Sequence, residues 1–391
     1  MTKSGTNIRA DGFHAELDRE SAVAIHVQLE VALRDAIRAG RLPGGSVVPA
    51  TRRLAEQFGI SRGVVVEAYQ QLTAEGYLVS SAGGYTRVAE SVATTLPEPL
   101  PTAQTSVAEG IDFRYGRPDV SQFPRAAWLR TLRSVLAHAP NERLNYSDGR
   151  GAPELRLAFA EYLNRVRGTW ASPDQVIACN GFAQGIALIC QVLVAQGIRR
   201  LAVEDPSDPD AQREAAFAGM ELIHLPVTPT GIDTDALAGS DAQAVLVTPA
   251  HQFPAGYVLS PERRTAIVEW AKRTDGIIIE DDYDAEYRYD QTPVGSLQGL
   301  APDQVIYAGT ASKTLAPGLR LGWIVAPARL ADAFATRKHE LDRGSPVIDQ
   351  LAFAEFLVKG EFDRHLRRMR PIYRKRRDTL LAAMERWMPA V

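Results

Sequence analysis

A chain of 391 residues with 45% hydrophobic content exceeds what one core usually accommodates, so two domains are expected. The net charge of −3 excludes a globally basic surface, and any affinity for a polyanion must come from local arginines. No apolar run approaches a membrane span and the polar N-terminus lacks a signal-peptide core, so a cytoplasmic protein is expected.

In chain order, Ile25, Leu29, Ala32, Leu33, Ala36 and Ile37 recur at helical spacing and predict an amphipathic helix over residues 25–39, stopped at Gly40. The stretch ATRRLAEQFGISRGVVVEAYQQLTAEGYLV follows. It reads as a short helix with Leu54, Ala55 and Phe58 inward, a turn at Gly59, and a second helix N-capped by Ser61. On that second helix Val65, Ala68, Tyr69 and Leu72 make the buried stripe. Arg62, Gly63, Val66 and Gln70 are left on an outer face shaped to enter a major groove. Residues 77–79 and 85–88, joined through SSAGG, read as a two-stranded wing. Pro97, Pro99 and Pro101 mark residues 91–110 as an extended linker.

Beyond the linker the punctuation changes to strands that break into helices. VIACNGFAQGIALICQVL breaks at Asn180 and Gly181, and the amides of Gly181, Phe182 and Ala183 at the helix start would form an anion site. Cys179 and Cys190, on either side, have apolar neighbours and read as small core residues. AVLVTPAHQFPAG repeats the strand ending. In GIIIEDDYDAEY a buried parallel strand over residues 277–279 runs into Glu280, Asp281 and Asp282. A fourth strand, residues 305–308, delivers Lys313 onto the small-residue loop of GTASKTLAPGLRLGW, with Arg320 seven residues on. Ligands gather at such strand ends in open α/β sheets. A lysine suits an aldehyde and a guanidinium suits a phosphate, and together with a carboxylate for a pyridinium nitrogen they suggest pyridoxal phosphate.

On the motifs NYSDGRGAPELR, NGFAQG, TPAHQFPAG, EDDYD and SKTLAPGLRLG, residues from about 110 to 391 resemble the large domain of fold-type I pyridoxal-phosphate aminotransferases. The resemblance implies an α/β fold with a mainly parallel sheet. It also implies Lys313 as the Schiff-base lysine, Asp281 as the partner of the pyridine nitrogen, and Tyr283 as the phenol on the ring hydroxyl. Arg320 and Thr310 match phosphate ligands. Tyr146 matches a tyrosine that reaches the phosphate of the neighbouring subunit, which implies a homodimer. Two positions depart from the pattern. Phe253 stands where this fold carries an asparagine beside the ring hydroxyl, and EDPSDPD places Asp208 at the stacking position with Asp210 nearby. Two carboxylates lining the cofactor entrance would favour an effector with a second positive amine; the other reading places both in a solvated turn after Pro206. The basic helical stretch RHLRRMRPIYRKRRDTLLAAMERW leads, in this fold, into a C-terminal small domain carrying an arginine for a substrate α-carboxylate. The 391 residues stop before it, so that domain is expected to be absent, either cut off or lost from this protein.

The first ninety residues resemble the winged helix-turn-helix of GntR-type regulators, with Arg52, Ser61 and Arg62 at positions that touch phosphates and bases and Gly83 and Gly84 at the wing tip. The combination is similar to the MocR subfamily: a DNA-binding domain over residues 1–90, a linker over 91–110 and an aminotransferase-like domain over 111–391. The implied function is a pyridoxal-phosphate-dependent transcription regulator, not an enzyme. It would bind a double-stranded DNA operator as a dimer and sense an amine or amino acid through aldimine exchange at Lys313. Two other readings stay open: a working aminotransferase with an accessory N-terminal module, and a cofactor-free repressor that uses the fold as a dimerisation scaffold.

Overall fold

A computed structural model of the chain describes residues 13, 15–80, 85–91, 115–287 and 295–388. Backbone contacts divide it into two compact units, Met1–Ile111 and Asp112–Val391.

The first unit contains helices α1 (Ile25–Arg38), α2 (Thr51–Phe58) and α3 (Arg62–Ala74), followed by strands β1 (Leu78–Ser80) and β2 (Thr86–Val88). Helix α2 ends because Gly59 takes the left-handed conformation at φ 60°, which costs a glycine little. Two residues on, the Ser61 hydroxyl caps α3 by accepting from the Val64 amide at 3.4 Å. The apolar stripes of all three helices meet in one core: Leu29, Leu33, Ile37, Leu54, Val65 and Leu72 are all fully buried in it. Deleting the side chain of such a leucine costs about 2–5 kcal/mol. Strands β1 and β2 pair antiparallel with Leu78 opposite Val88 and Ser80 opposite Thr86. The expected strands are there, the first shifted by one residue and the second one residue shorter than the sequence reading drew it. The wing glycines Gly83 and Gly84, and all but the first residue of the expected linker, lie outside the described residues.

The second unit is built on strands β3 (Val176–Cys179), β4 (Arg200–Asp205), β5 (Glu221–Thr228), β6 (Gly231–Ile232), β7 (Ala244–Val247), β8 (Ile277–Asp282), β9 (Val305–Thr310) and β10 (Gly322–Val325). They form one sheet in the order β3-β10-β9-β8-β7-β4-β5-β6. The pairs among β9, β8, β7, β4 and β5 are parallel, while β10 runs antiparallel between β3 and β9 and β6 runs antiparallel on β5. The helices are α4 (Arg125–His138), α5 (Pro153–Arg167), α6 (Phe182–Ala195), α7 (Pro209–Phe217), α8 (Thr234–Gly239), α9 (Pro261–Thr274), α10 (Ala328–Asp342), α11 (Val347–Val358) and α12 (Glu361–Trp387).

Both faces of the sheet are covered, as parallel sheets require. Ile277, Ile279 and Ala308 pack with α6, α7 and α10 on one face. On the other face Ile278 and Val305 pack with α8 and α9, while Tyr307 and Trp323 pack with α4, α5, α11 and α12. Cys179 and Cys190 are both buried and unpaired, and burial pushes both thiols up to about 12. Among the described residues no helix is long and apolar enough to cross a membrane.

Candidate functional site

Strand β8 differs from the sequence reading in one useful way: it does not stop before the acidic run but carries Glu280, Asp281 and Asp282 as its last three residues, all buried. Side chains alternate along a strand, so neighbouring carboxylates face opposite ways. Glu280 and Asp282 continue the face of Ile278. Glu280 accepts from the amides of Leu297 at 3.0 Å and Gln298 at 3.1 Å. Asp282 accepts from Arg167 Nε at 2.7 Å and from the Tyr307 hydroxyl at 2.6 Å. Asp281 continues the face of Ile277 and Ile279, which is the face covered by α6.

Among the described residues, buried Asp281 Oδ1 has no hydrogen-bond partner. Burial drives its carboxyl well above the usual carboxylate range, and the nearby charges of Asp282, Asp208, Asp284 and Glu204 add to the effect. A cation placed at Oδ1 would reverse that balance. A protonated pyridine nitrogen is such a cation, so the donor set fits one.

The antiparallel direction of β10 gathers the other residues at the same end of the sheet. Asp281 stands opposite Ala308, Asp282 opposite Gly309, Thr310 opposite Gly322, and Gly322 opposite Cys179. Gly181, the N-cap of α6, has φ 80°, and a Cβ there would come within 2.8 Å of Arg320 Nη2. Arg320 Nη2 donates to the Asn180 carbonyl at 2.6 Å. The guanidinium therefore lies against the start of α6, beside the first helical residues Phe182 and Ala183, where amide N–H groups have no intrahelical acceptor. The Thr310 hydroxyl lies 2.9 Å from that of Ser312 and accepts from the Ser312 amide at 3.1 Å. Lys313 Nζ donates to the Gly116 carbonyl at 2.8 Å.

Tyr283 donates its hydroxyl to the His251 carbonyl at 2.9 Å, and burial together with Asp284 keeps the phenol protonated. Phe253 meets the ring of Tyr115 with centroids 5.2 Å apart. Asp208 caps α7 by accepting from the Asp210 amide at 3.0 Å, and it is Asp208 whose charge reaches Asp281. Asp210 is exposed and its carboxylate is paired with Arg213. Tyr146 is 81% exposed.

Sequence reasoning passed over several residues of this region. Glu204, at the end of β4, is buried and accepts from the Thr248 hydroxyl at 2.6 Å. Burial pushes its carboxyl up to about 7 against those hydrogen bonds. Gln252 donates to the carbonyls of Pro206 at 2.7 Å and Phe253 at 2.6 Å, tying together the two loops that carry Asp208 and Phe253. Arg167 and Gly116 also escaped notice. A strand-end glutamate or a helix-end arginine has no local signature until its cross-chain partner is known.

In the first unit, Arg52 is 85% exposed beside Glu56, and the exposed Arg62 donates from Nε to the Thr51 hydroxyl at 3.3 Å. Ser61 and Arg62 lie where α2 hands over to α3, and Arg52 lies at the start of α2. The Arg87 guanidinium on the wing is engaged by the Gly45 carbonyl at 3.0 Å.

A helix-turn-helix with a wing, on the same chain as an aminotransferase-type large domain, defines the class. Residues 26–88 match the family described as "Bacterial regulatory proteins, gntR family", and residues 109–388 match "Aminotransferase class I and II". The chain is 35% identical to the probable rhizopine catabolism regulatory protein MocR of Rhizobium meliloti, over 95% of this chain and 79% of that protein. It is 34% identical to the HTH-type pyridoxine biosynthesis transcriptional regulator PdxR of Corynebacterium glutamicum, over 93% and 79%. Among solved structures it resembles kynurenine aminotransferase of Pyrococcus horikoshii, crystallised in complex with PMP, at 27% identity and a TM-score of 0.64 over 70% of each chain. The chain belongs to the MocR subfamily of GntR-type transcription regulators, in which a winged helix-turn-helix is fused to an aminotransferase class I and II domain.

Proposed function

We propose that this regulator holds pyridoxal phosphate through Lys313 and uses it to sense a small amine or amino acid, changing its hold on operator DNA. The observation that carries the reading is the unpartnered carboxylate oxygen of Asp281, buried on the face of the sheet that also presents the start of α6. A cofactor-free scaffold would bury that group at a cost with nothing to offset it.

When bound, the cofactor supplies an aldehyde that condenses with an amine, and a ring that withdraws electrons. This chain's residues bind and orient it. Asp281 would keep the ring nitrogen protonated, Tyr283 would turn its hydroxyl from the His251 carbonyl to the ring hydroxyl, and Lys313 would make the covalent attachment. Arg320, Thr310 and the amides of Gly181, Phe182 and Ala183 would take the phosphate, joined by the exposed Tyr146 of a second copy in a homodimer. Asp208, close enough to act on Asp281, favours an effector carrying a further positive charge, with Asp210 as an outer contribution reduced by Arg213. Arg62 would reach base edges in double-stranded DNA, with Arg52, Ser61, Gly83 and Gly84 on the backbone.

Borohydride reduction of the cofactor-supplied protein followed by peptide mass analysis tests the reading. An adduct on Lys313 is expected, and labelling elsewhere or none overturns it.

A further inference from the structure

Gly116 lies five residues beyond Ile111, the last residue of the N-terminal unit, and its carbonyl accepts from Lys313 Nζ at 2.8 Å. Its φ of +72° suits a glycine, and a Cβ would come within 3.0 Å of that same Nζ. The neighbouring Tyr115 ring is 72% exposed and lies against Phe253, the residue standing where aminotransferases of this fold carry an asparagine. The entry segment of the large unit is therefore tied down by two contacts, one of them to the amine that makes the covalent attachment.

We propose that residues 115 and 116 are a strap that reads the chemical state of Lys313. A free lysine ammonium has three N–H donors and grips the Gly116 carbonyl. A lysine nitrogen double-bonded to carbon keeps one hydrogen at most, fixed in the plane of that bond, and its position is dictated by the carbon it holds. Engagement of Lys313 releases the strap; displacement of Lys313 by an incoming primary amine restores it. The exchange balances without oxidant or reductant: a carbon–nitrogen double bond forms to the incoming nitrogen as the one to Lys313 breaks. Both hydrogens of the incoming amine end on Lys313 Nζ, which takes a further proton from solvent. Phe253 thus serves as the aromatic anchor of the strap, holding Tyr115 in register in both states. This inference rests on the cofactor reading above and adds to it the route by which the site addresses the chain leading back to the DNA-binding unit.

Amide hydrogen exchange across residues 115–117 of the full chain tests it, in four states: cofactor-free, loaded with pyridoxal phosphate, loaded and then treated with hydroxylamine as the displacing amine, and cofactor-free Lys313→Ala. Exchange in the cofactor-free protein is expected to be severalfold slower than in Lys313→Ala, to rise to the Lys313→Ala level on loading, and to fall again with hydroxylamine. Gly116→Ala should exchange fast in every state while mass analysis still finds the adduct on Lys313. If the adduct is present and the segment exchanges equally with and without it, the strap is overturned and the cofactor reading stands. If no adduct forms, both fall.

Discussion

Replacing Asp282 by asparagine strips the countercharge from one of the most enclosed ion pairs in the large unit. Arg167 and Asp282 side chains are each 3% exposed, and Asp282 Oδ2 receives both Arg167 Nε at 2.7 Å and the Tyr307 hydroxyl at 2.6 Å. Removing one partner of a buried pair costs about 3–5 kcal/mol, because the surviving charge is left in a poorly polarisable surrounding. Asparagine keeps a carbonyl acceptor for Arg167 or Tyr307, which places Asp282→Asn near about 3 kcal/mol. At about 2 °C per kcal/mol for a domain of this size, the large unit should melt about 6 °C lower. The control is the double variant Arg167→Met with Asp282→Leu, which removes both charges and should melt above Asp282→Asn. Near-ultraviolet circular dichroism during thermal unfolding follows the large unit through its buried aromatics. An Asp282→Asn protein within about 1 kcal/mol of the parent, or a double variant weaker than the single one, would refute the argument that this pair is a charge-compensated unit.

Three further outcomes follow from the same structure. The raised carboxyl of Glu204, at about 7, means the folded state keeps a proton that the unfolded state releases near 4.5, so the penalty for its ionisation is absent at low pH and greatest above 7. Glu204→Gln should therefore gain on the parent as pH rises from 4.5 to 7, by up to roughly 3 kcal/mol in urea titrations, and a pH-independent difference would contradict this. Gly181→Ala places a methyl within 2.8 Å of Arg320 Nη2 at a positive φ, so phosphate affinity measured by cofactor titration should fall at least tenfold, with Arg320→Ala no worse than additive. Arg62→Ala should cost about 1–3 kcal/mol on specific DNA if the side chain meets a base edge, whereas Arg52→Ala should weaken specific and random DNA alike and lower the salt slope by about one. Fluorescence anisotropy at several salt concentrations separates the two.

The helix-turn-helix was legible because its signals are local: a helical stripe such as Val65, Ala68, Tyr69 and Leu72, a glycine that can turn left-handed at residue 59, and a serine that caps two residues later. Four of the eight large-unit strands, β3, β7, β8 and β9, were legible as apolar runs. What an all-buried run hides is its period, since both faces are apolar, so the residues alone could not say which of Asp281 and Asp282 faces α6. The resemblance to aminotransferases chose Asp281, and alternation along β8 places it on that face. Strand β10 was not read at all, because its four residues, GWIV, carry no turn chemistry to mark a reversal of direction. Arg167, Glu204 and Gln252 stayed hidden for a different reason: each acquires its importance from a partner 44 to 115 residues away or from a carbonyl across a loop.

The position of β10 sets an order of events during synthesis. Strand β3 lies at one end of the sheet with β10 as its partner, and the Asn180 carbonyl waits for a guanidinium 140 residues later in the chain. A ribosome adding roughly 5–20 residues per second needs about 7–28 s to cover that stretch. During that interval the beginning of α6 exists without the guanidinium that lies against it. On the cofactor reading proposed above, capture on a nascent chain would await the emergence of Lys313 and Arg320, so a messenger that stalls between α6 and these residues would yield chains unable to take up the phosphate.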